Sequence, residues 1–155
     1  MNVRNVVYLL LLLLITASCK ENRLSKIPRI ELMAFGPDAV QVNYDTATLQ
    51  FRLQDGDADL GNSLNSGKYD IYVKDFRFDT GYAGYFFPQL DKSILDPNKG
   101  IEGTCRFYFT PYILLPRTDS IHMAEGDTTY FEVYIVDKAG NESNHIITSK
   151  VRMYF

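Results

Sequence analysis

The chain of 155 residues contains no tryptophan, two cysteines and two histidines, and each scarcity removes a class of chemistry. His122 and His145 stand far apart with no cysteine or histidine beside either at ligand spacing, so a structural zinc site has no ligand set. No Gly-x-Ser-x-Gly, His-Glu-x-x-His or phosphate-cradling glycine loop occurs. Neither histidine lies where it could activate a nucleophile, so the chain reads as non-enzymatic. Sixteen lysines and arginines against nineteen acidic residues give a net charge of −3 and a pI near 5.3, with the basic residues scattered. That pattern excludes an electrostatic footprint for nucleic acid. The one long apolar run, from Val6 to Ile15, is too short for a helix across a bilayer, which takes about 20 residues.

What is present begins with an address. Arg4 precedes that apolar run, the small residues Thr16-Ala17-Ser18 follow it, and polar Lys20-Glu21-Asn22-Arg23 come directly after Cys19. This is the three-part pattern of a cleaved signal peptide. Small residues immediately before a cysteine resemble the lipobox of bacterial lipoproteins, although Thr16 stands where those sequences favour leucine. The resemblance implies cleavage after Ser18 and membrane anchoring through lipid on Cys19. Ordinary cleavage, leaving a soluble form, is the alternative. Lys20-Glu21 resembles the Lys-plus-acidic signals that send lipoproteins outward, which implies an outer-membrane lipoprotein facing either the cell surface or the periplasm. With Cys19 acylated, Cys105 has no intramolecular partner, and its alternation with Phe107 and Phe109 marks a buried, unreactive thiol.

The organisation read from the chain is a signal peptide over 1–18, a lipidated cysteine and polar tether over 19–27, and one domain over 28–155. Beyond Pro28 the dominant period is two. Leu49, Phe51 and Leu53 alternate with polar neighbours, as do Tyr69, Ile71 and Val73, and Phe131, Val133 and Ile135. Further strands are expected over Arg29 to Phe35, around Tyr85 to Gln89, over Gly103 to Thr110, and over His145 to Met153 with Ile147, Val151 and Met153 on one face. Turn residues separate them, at Gly36-Pro37-Asp38, Asp55-Gly56-Asp57, Asp79-Thr80-Gly81, Glu125-Gly126-Asp127 and Ala139-Gly140-Asn141. No amphipathic helix is expected in the domain. Seven to eight strands in this length predict an all-β, immunoglobulin-like or fibronectin III-like antiparallel β-sandwich.

The most chemically loaded stretch is Asp55-Gly56-Asp57-Ala58-Asp59-Leu60-Gly61. Three carboxylates two residues apart repel one another and suit a hard cation that takes several oxygens from a loop, with calcium the natural candidate. An EF-hand is rejected, because Gly61 falls one place late and no glutamate occupies the twelfth position. Asp55 continues the inward row of Leu49, Phe51 and Leu53, and Asp137 continues that of Phe131, Val133 and Ile135. On facing sheets of a sandwich the two would converge with Asp57 and Asp59 at one pole and form a metal site. The other reading has Asp55 and Asp137 accepting backbone N–H bonds in their own turns, with Asp57 and Asp59 in water.

The acidic loop, Ile101-Glu102-Gly103 and Asp137-Lys138-Ala139-Gly140-Asn141-Glu142-Ser143-Asn144 together resemble a group of bacterial lipoproteins with a single immunoglobulin-like domain and no assigned activity. Those proteins usually have glycine where this chain has Ala58. The resemblance implies the fold and the extracytoplasmic address but no task; the residues themselves are read as a non-catalytic, monomeric module for binding, adhesion or scaffolding, with a calcium-stabilised pole and a protein or glycan partner. A second reading is a carbohydrate-binding accessory of a glycan-uptake system, with Tyr82, Tyr85, Phe86 and Phe87 offering rings to a sugar; packing is the competing use of those rings. Cys19→Ser is expected to release the protein from the membrane pellet into the soluble fraction on cell fractionation, and persistence in the pellet would remove the lipid anchor.

Overall fold

The computed structural model describes residues 24–155 apart from Ser63, Gln89, Lys92, Tyr112, Leu115, Pro116 and Thr118. The expected signal peptide and Cys19 lie outside the described residues.

Strand β3 (Ala47–Asp55) organises one side of the molecule. Its odd-numbered residues are all buried, and it pairs antiparallel with β1 (Arg29–Gly36) on one edge and β6 (Ile101–Phe109) on the other. The opposite side is a four-stranded sheet in the order β5 (Ala83–Tyr85), β4 (Ile71–Asp75), β8 (Phe131–Ile135), β9 (Ile146–Ile147). A third, small sheet sets β10 (Val151–Tyr154) between β2 (Ala39–Gln41), which runs parallel to it, and β7 (Asp127–Thr129), which runs antiparallel. All three sheets send side chains into one core, including Leu49 and Phe51 from β3, Val73 from β4, Val133 and Ile135 from β8, and Met153 from β10. Ring packing closes the gap between the two larger sheets: Phe109 of β6 lies 4.4 Å from Phe131 of β8, and Phe107 lies 5.0 Å from Tyr85. The protein is thus all-β and sandwich-like, with ten described strands.

The period of two located β1, β3, β4, β6 and β8, while the local deviations have physical causes. At the start of β4 the alternation breaks: Tyr69 is 42% exposed and Asp70 is fully buried. Tyr69 lies across Gly84, where any side chain would collide with its ring, while Asp70 turns inward to accept three hydrogen bonds. Near the carboxyl end the expected single strand is two short ones, and Ile146 rather than Ile147 is buried. The break falls where the Thr148 hydroxyl accepts from Phe131 N–H at 2.9 Å and its own N–H donates to the Phe131 carbonyl at 2.9 Å. A short helix, α1 (Ser120–Glu125), was not expected, because it buries no residue and so has no apolar stripe. Its start is capped by the Asp119 carboxylate, which accepts from His122 N–H at 3.1 Å.

Two polar devices join distant parts of the chain. The Asn144 side chain binds both backbone groups of Ile30, accepting from its N–H at 3.0 Å and donating to its carbonyl at 2.9 Å, across 114 residues of sequence. At the other end of the sandwich the buried Asp127 carboxylate takes hydrogen bonds from Arg77 Nη1 at 2.8 Å and Arg117 Nη2 at 2.9 Å, and Arg77 also grips Asp75. Burial alone would raise the Asp127 carboxyl, but the Arg117 bonds and then Arg77 override it and hold it well below the ordinary carboxylate range. Its contribution to stability is therefore present above the unfolded carboxylate range and is lost as pH falls through the depressed native value. Asp127→Ala leaves Arg77 buried with half its partners and is expected to cost about 3–5 kcal/mol in urea unfolding at pH 7. The deficit relative to wild type should shrink in strong acid; an unchanged midpoint at pH 7 would contradict the role.

Candidate metal centre at the acidic pole

Two loops meet at the end of the sandwich where β3 and β8 finish. Asp55 is the last residue of β3, paired with Ile101, and the next residues turn through Gly56 to Asp59. Ala58 takes a left-handed conformation, φ 52°, which a glycine would adopt without strain. Beyond β8, Val136 bridges to Glu142, and Asp137 opens a tight turn in which its N–H donates to the Asn141 carbonyl at 3.1 Å. The loops are then tied to each other. Lys138 N–H donates to the Asp59 carbonyl at 3.0 Å, and Ala139 N–H donates to Asp59 Oδ2 at 3.0 Å.

The sandwich buries several carboxylates, and comparison among them locates the chemistry. Asp70 accepts from Asn62 N–H at 2.6 Å, Asn62 Nδ2 at 2.9 Å and Phe87 N–H at 2.8 Å, so both of its oxygens are satisfied. Asp127 is held by two arginines. Asp137 accepts from Asn141 N–H at 2.7 Å and Asn141 Nδ2 at 2.8 Å. In the acidic loop one oxygen of each carboxylate is left over: Asp55 Oδ2 accepts from Asp59 N–H at 3.1 Å, yet the Oδ1 atoms of Asp55, Asp57 and Asp59 are buried without a hydrogen-bond partner among the described residues. Buried polar oxygens are almost always hydrogen-bonded, and leaving one unpaired costs about 1–3 kcal/mol. Three together, on like-charged groups, favour a proton or a cation that relieves their repulsion.

Their geometry suits a cation. One oxygen from each of Asp55, Asp57 and Asp59 lies within 4.8 Å of the others, and two oxygens bound to one calcium at about 2.3–2.6 Å are at most about 5 Å apart. The electrostatics agree. Burial first, then repulsion from Asp57 and Asp59 and more weakly from Asp137, pushes the Asp55 carboxyl up to about 6. Burial and then the Asp137 charge raise Asp59 as well. Asp137, expected among the ligands, sits at the same pole and contributes to the field, but both of its oxygens are engaged by Asn141. The buried Asp70, which braces the loop from below, was not singled out from the sequence, and no spacing or motif marks it.

The four aromatic residues singled out from the sequence do not share one exposed face. Phe87 is buried in the core, Tyr85 packs edge-on against Phe107, and Phe86 lies 4.9 Å from Tyr69. Tyr82 instead joins a cluster on the outer face of the four-stranded sheet. There Tyr134 stacks between Tyr72, at 4.9 Å and 3°, and His145, at 4.5 Å and 9°. Tyr82 donates to Glu132 at 2.7 Å, which pushes its hydroxyl up to about 12. His145 lies between Glu142 and Glu132, and the hydrogen bond to Glu142 above all raises its pKa. Stacked in this way both faces of Tyr134 are covered, by Tyr72 on one side and His145 on the other. Cys105 lies half-covered on β6, and burial pushes its thiol up to about 11.

No protein-family model matches the chain, and no curated protein or solved structure is significantly similar to it. The site therefore rests on its own geometry. In the presence of a chelator, Asp57→Asn is expected to stabilise the protein by about 1 kcal/mol, because it removes one of three mutually repelling carboxylates and adds an N–H donor among orphan oxygens. A lower melting temperature for the variant under those conditions would show that the carboxylates are compensated in some other way.

Proposed function

We propose that this protein is a lipid-anchored, non-catalytic extracytoplasmic β-sandwich of the immunoglobulin-like kind, a binding or scaffold module whose acidic pole is stiffened by calcium. The observation that carries the metal reading is the set of three unpartnered, buried Oδ1 atoms on Asp55, Asp57 and Asp59. An all-oxygen, all-carboxylate donor set at the end of a flexible loop favours calcium over the nitrogen- and sulfur-seeking transition metals. Calcium there would join the β3 exit to the β8–β9 turn through Asp59, whose backbone carbonyl and Oδ2 already hold the second loop.

A stiffening rather than catalytic role follows from where the oxygens point. The Oδ1 atoms are buried, and one oxygen of each carboxylate lies within 4.8 Å of the others, which supports an ion held by the loop rather than one presented to a substrate. The immunoglobulin-like reading draws support from the two facing sheets and from the parallel pairing of β2 with β10. The anchor reading rests on Cys19 and its flanking residues.

Calcium at one hundred times its dissociation constant is expected to stabilise the wild-type domain by about 2.7 kcal/mol, which raises Tm by on the order of 10 °C. Asp57→Asn should lose that response. Thermal melting of both proteins with calcium, with magnesium and with chelator tests the proposal, and identical wild-type midpoints in all three conditions would remove it.

A further inference from the structure

The chain enters the sandwich at the acidic pole and is fastened there. Gly56 N–H donates to the Ser25 carbonyl at 2.7 Å. A side chain on Gly56 would meet the Leu24 carbonyl oxygen at 2.2 Å and that of Ser25 at 2.7 Å, so only glycine lets the two segments lie this close. Lys26 Nζ reaches within 3.9 Å of Asp57 Oδ2. From there the chain continues into β1, whose first residue Arg29 pairs with Gln54. Residues 24–29 thus run alongside the end of β3 and the metal loop, and do not leave the domain from its side or its far end.

From these contacts we infer that the acidic pole is the membrane-facing end of the domain and that a lipid surface is its partner. The inference rests on the proposed anchor at Cys19. Four residues lie between Cys19 and the docked Leu24, and the five steps from one to the other reach about 17 Å when fully extended. β3 alone spans about 30 Å from this pole to the other. The far pole, with the 75–82 hairpin and α1, is therefore held away from the bilayer. The near surface is chemically suited to headgroups. Lys26 and Lys99 are more exposed than the carboxylates they pair with, Asp57 at 3.9 Å and Asp96 at 3.6 Å, and Lys138 in the second loop is exposed as well. With a cation compensating the buried carboxylates, the outer layer of this pole presents amines to anionic phosphates.

The test uses the full, lipid-bearing chain reconstituted into vesicles of phosphatidylethanolamine and phosphatidylglycerol that carry an energy acceptor on their headgroups. A fluorophore is placed at Leu64→Cys on the acidic pole or at Thr80→Cys in the far hairpin, both exposed positions. Cys105→Ala removes the remaining thiol. Transfer to the headgroups is expected to be several-fold stronger from position 64 than from position 80. Equal transfer, or the reverse order, overturns the orientation while leaving the anchor intact; failure of the chain to float with the vesicles overturns both. Gly56→Ala, checked for intact folding by circular dichroism, is expected to unseat residues 24–26 and narrow the difference between the two labels. An unchanged difference in that folded variant would overturn the docked tether as its cause.

Discussion

β3 is paired along both edges, so its backbone cannot slip, and its period of two sends Ala47, Leu49, Phe51 and Leu53 into the core one after another. The next place in that row belongs to Asp55. A carboxylate set there by register is fully buried, and its environment is decided by the loop that follows. The loop that follows carries two more carboxylates and folds back so that Asp59 N–H satisfies one Asp55 oxygen. The charge concentrated at this pole is thus a consequence of strand pairing rather than of surface composition. Its cost is carried by the apolar packing of the same strand, which is fully buried at Leu49 and Phe51.

The two ends of the sandwich treat buried charge in opposite ways. At the far end Asp127 and Asp75 are matched by Arg77 and Arg117, and the Thr129 hydroxyl adds a further donor to Asp75 at 2.5 Å. That network is complete within the chain and fixes three segments to each other. At the acidic end the donors stop short: backbone N–H groups take the Oδ2 atoms of Asp55 and Asp59, and no donor among the described residues takes the Oδ1 atoms. One end with its buried carboxylates held by arginines, and another where only the exposed Lys26 approaches the acidic loop, give this small domain two electrostatically different poles.

Much of this was legible in the residues, and the parts that were not share a cause. Strands with one buried face announce themselves by alternation, and the phase of Leu49, Phe51 and Leu53 was enough to place Asp55 inside; the same phase in β8 placed Asp137 inside. Alternation says nothing about which donors a buried carboxylate will meet. Asn141, four residues on, satisfies Asp137, a local contact. Asp70 depends on Asn62 and Phe87, which only tertiary structure brings to it. The three-residue strands β2 and β7 are too short to show a period, and α1 has no buried face to show one. The ring stack on the outer sheet face joins Tyr72, Tyr134 and His145 from three strand regions, and only the register of β4 on β8 reveals that the tyrosines stand opposite one another.

The pairing of Ile30 with Asn144 and of β2 with β10 has a consequence for how the domain comes into being. β1 finds its strand partner nearby in β3, but its Ile30 is also held by Asn144, and β2 finds its partner only in β10. An emerging chain can assemble β3 with β1, and later with β6, but β2 must wait for a strand more than a hundred residues further on. Long-range pairings of this kind make folding slow, because the entropy of closing the longest loop is lost before its contacts are gained. Closure of the small third sheet, where β10 receives β2, is therefore a late step in folding.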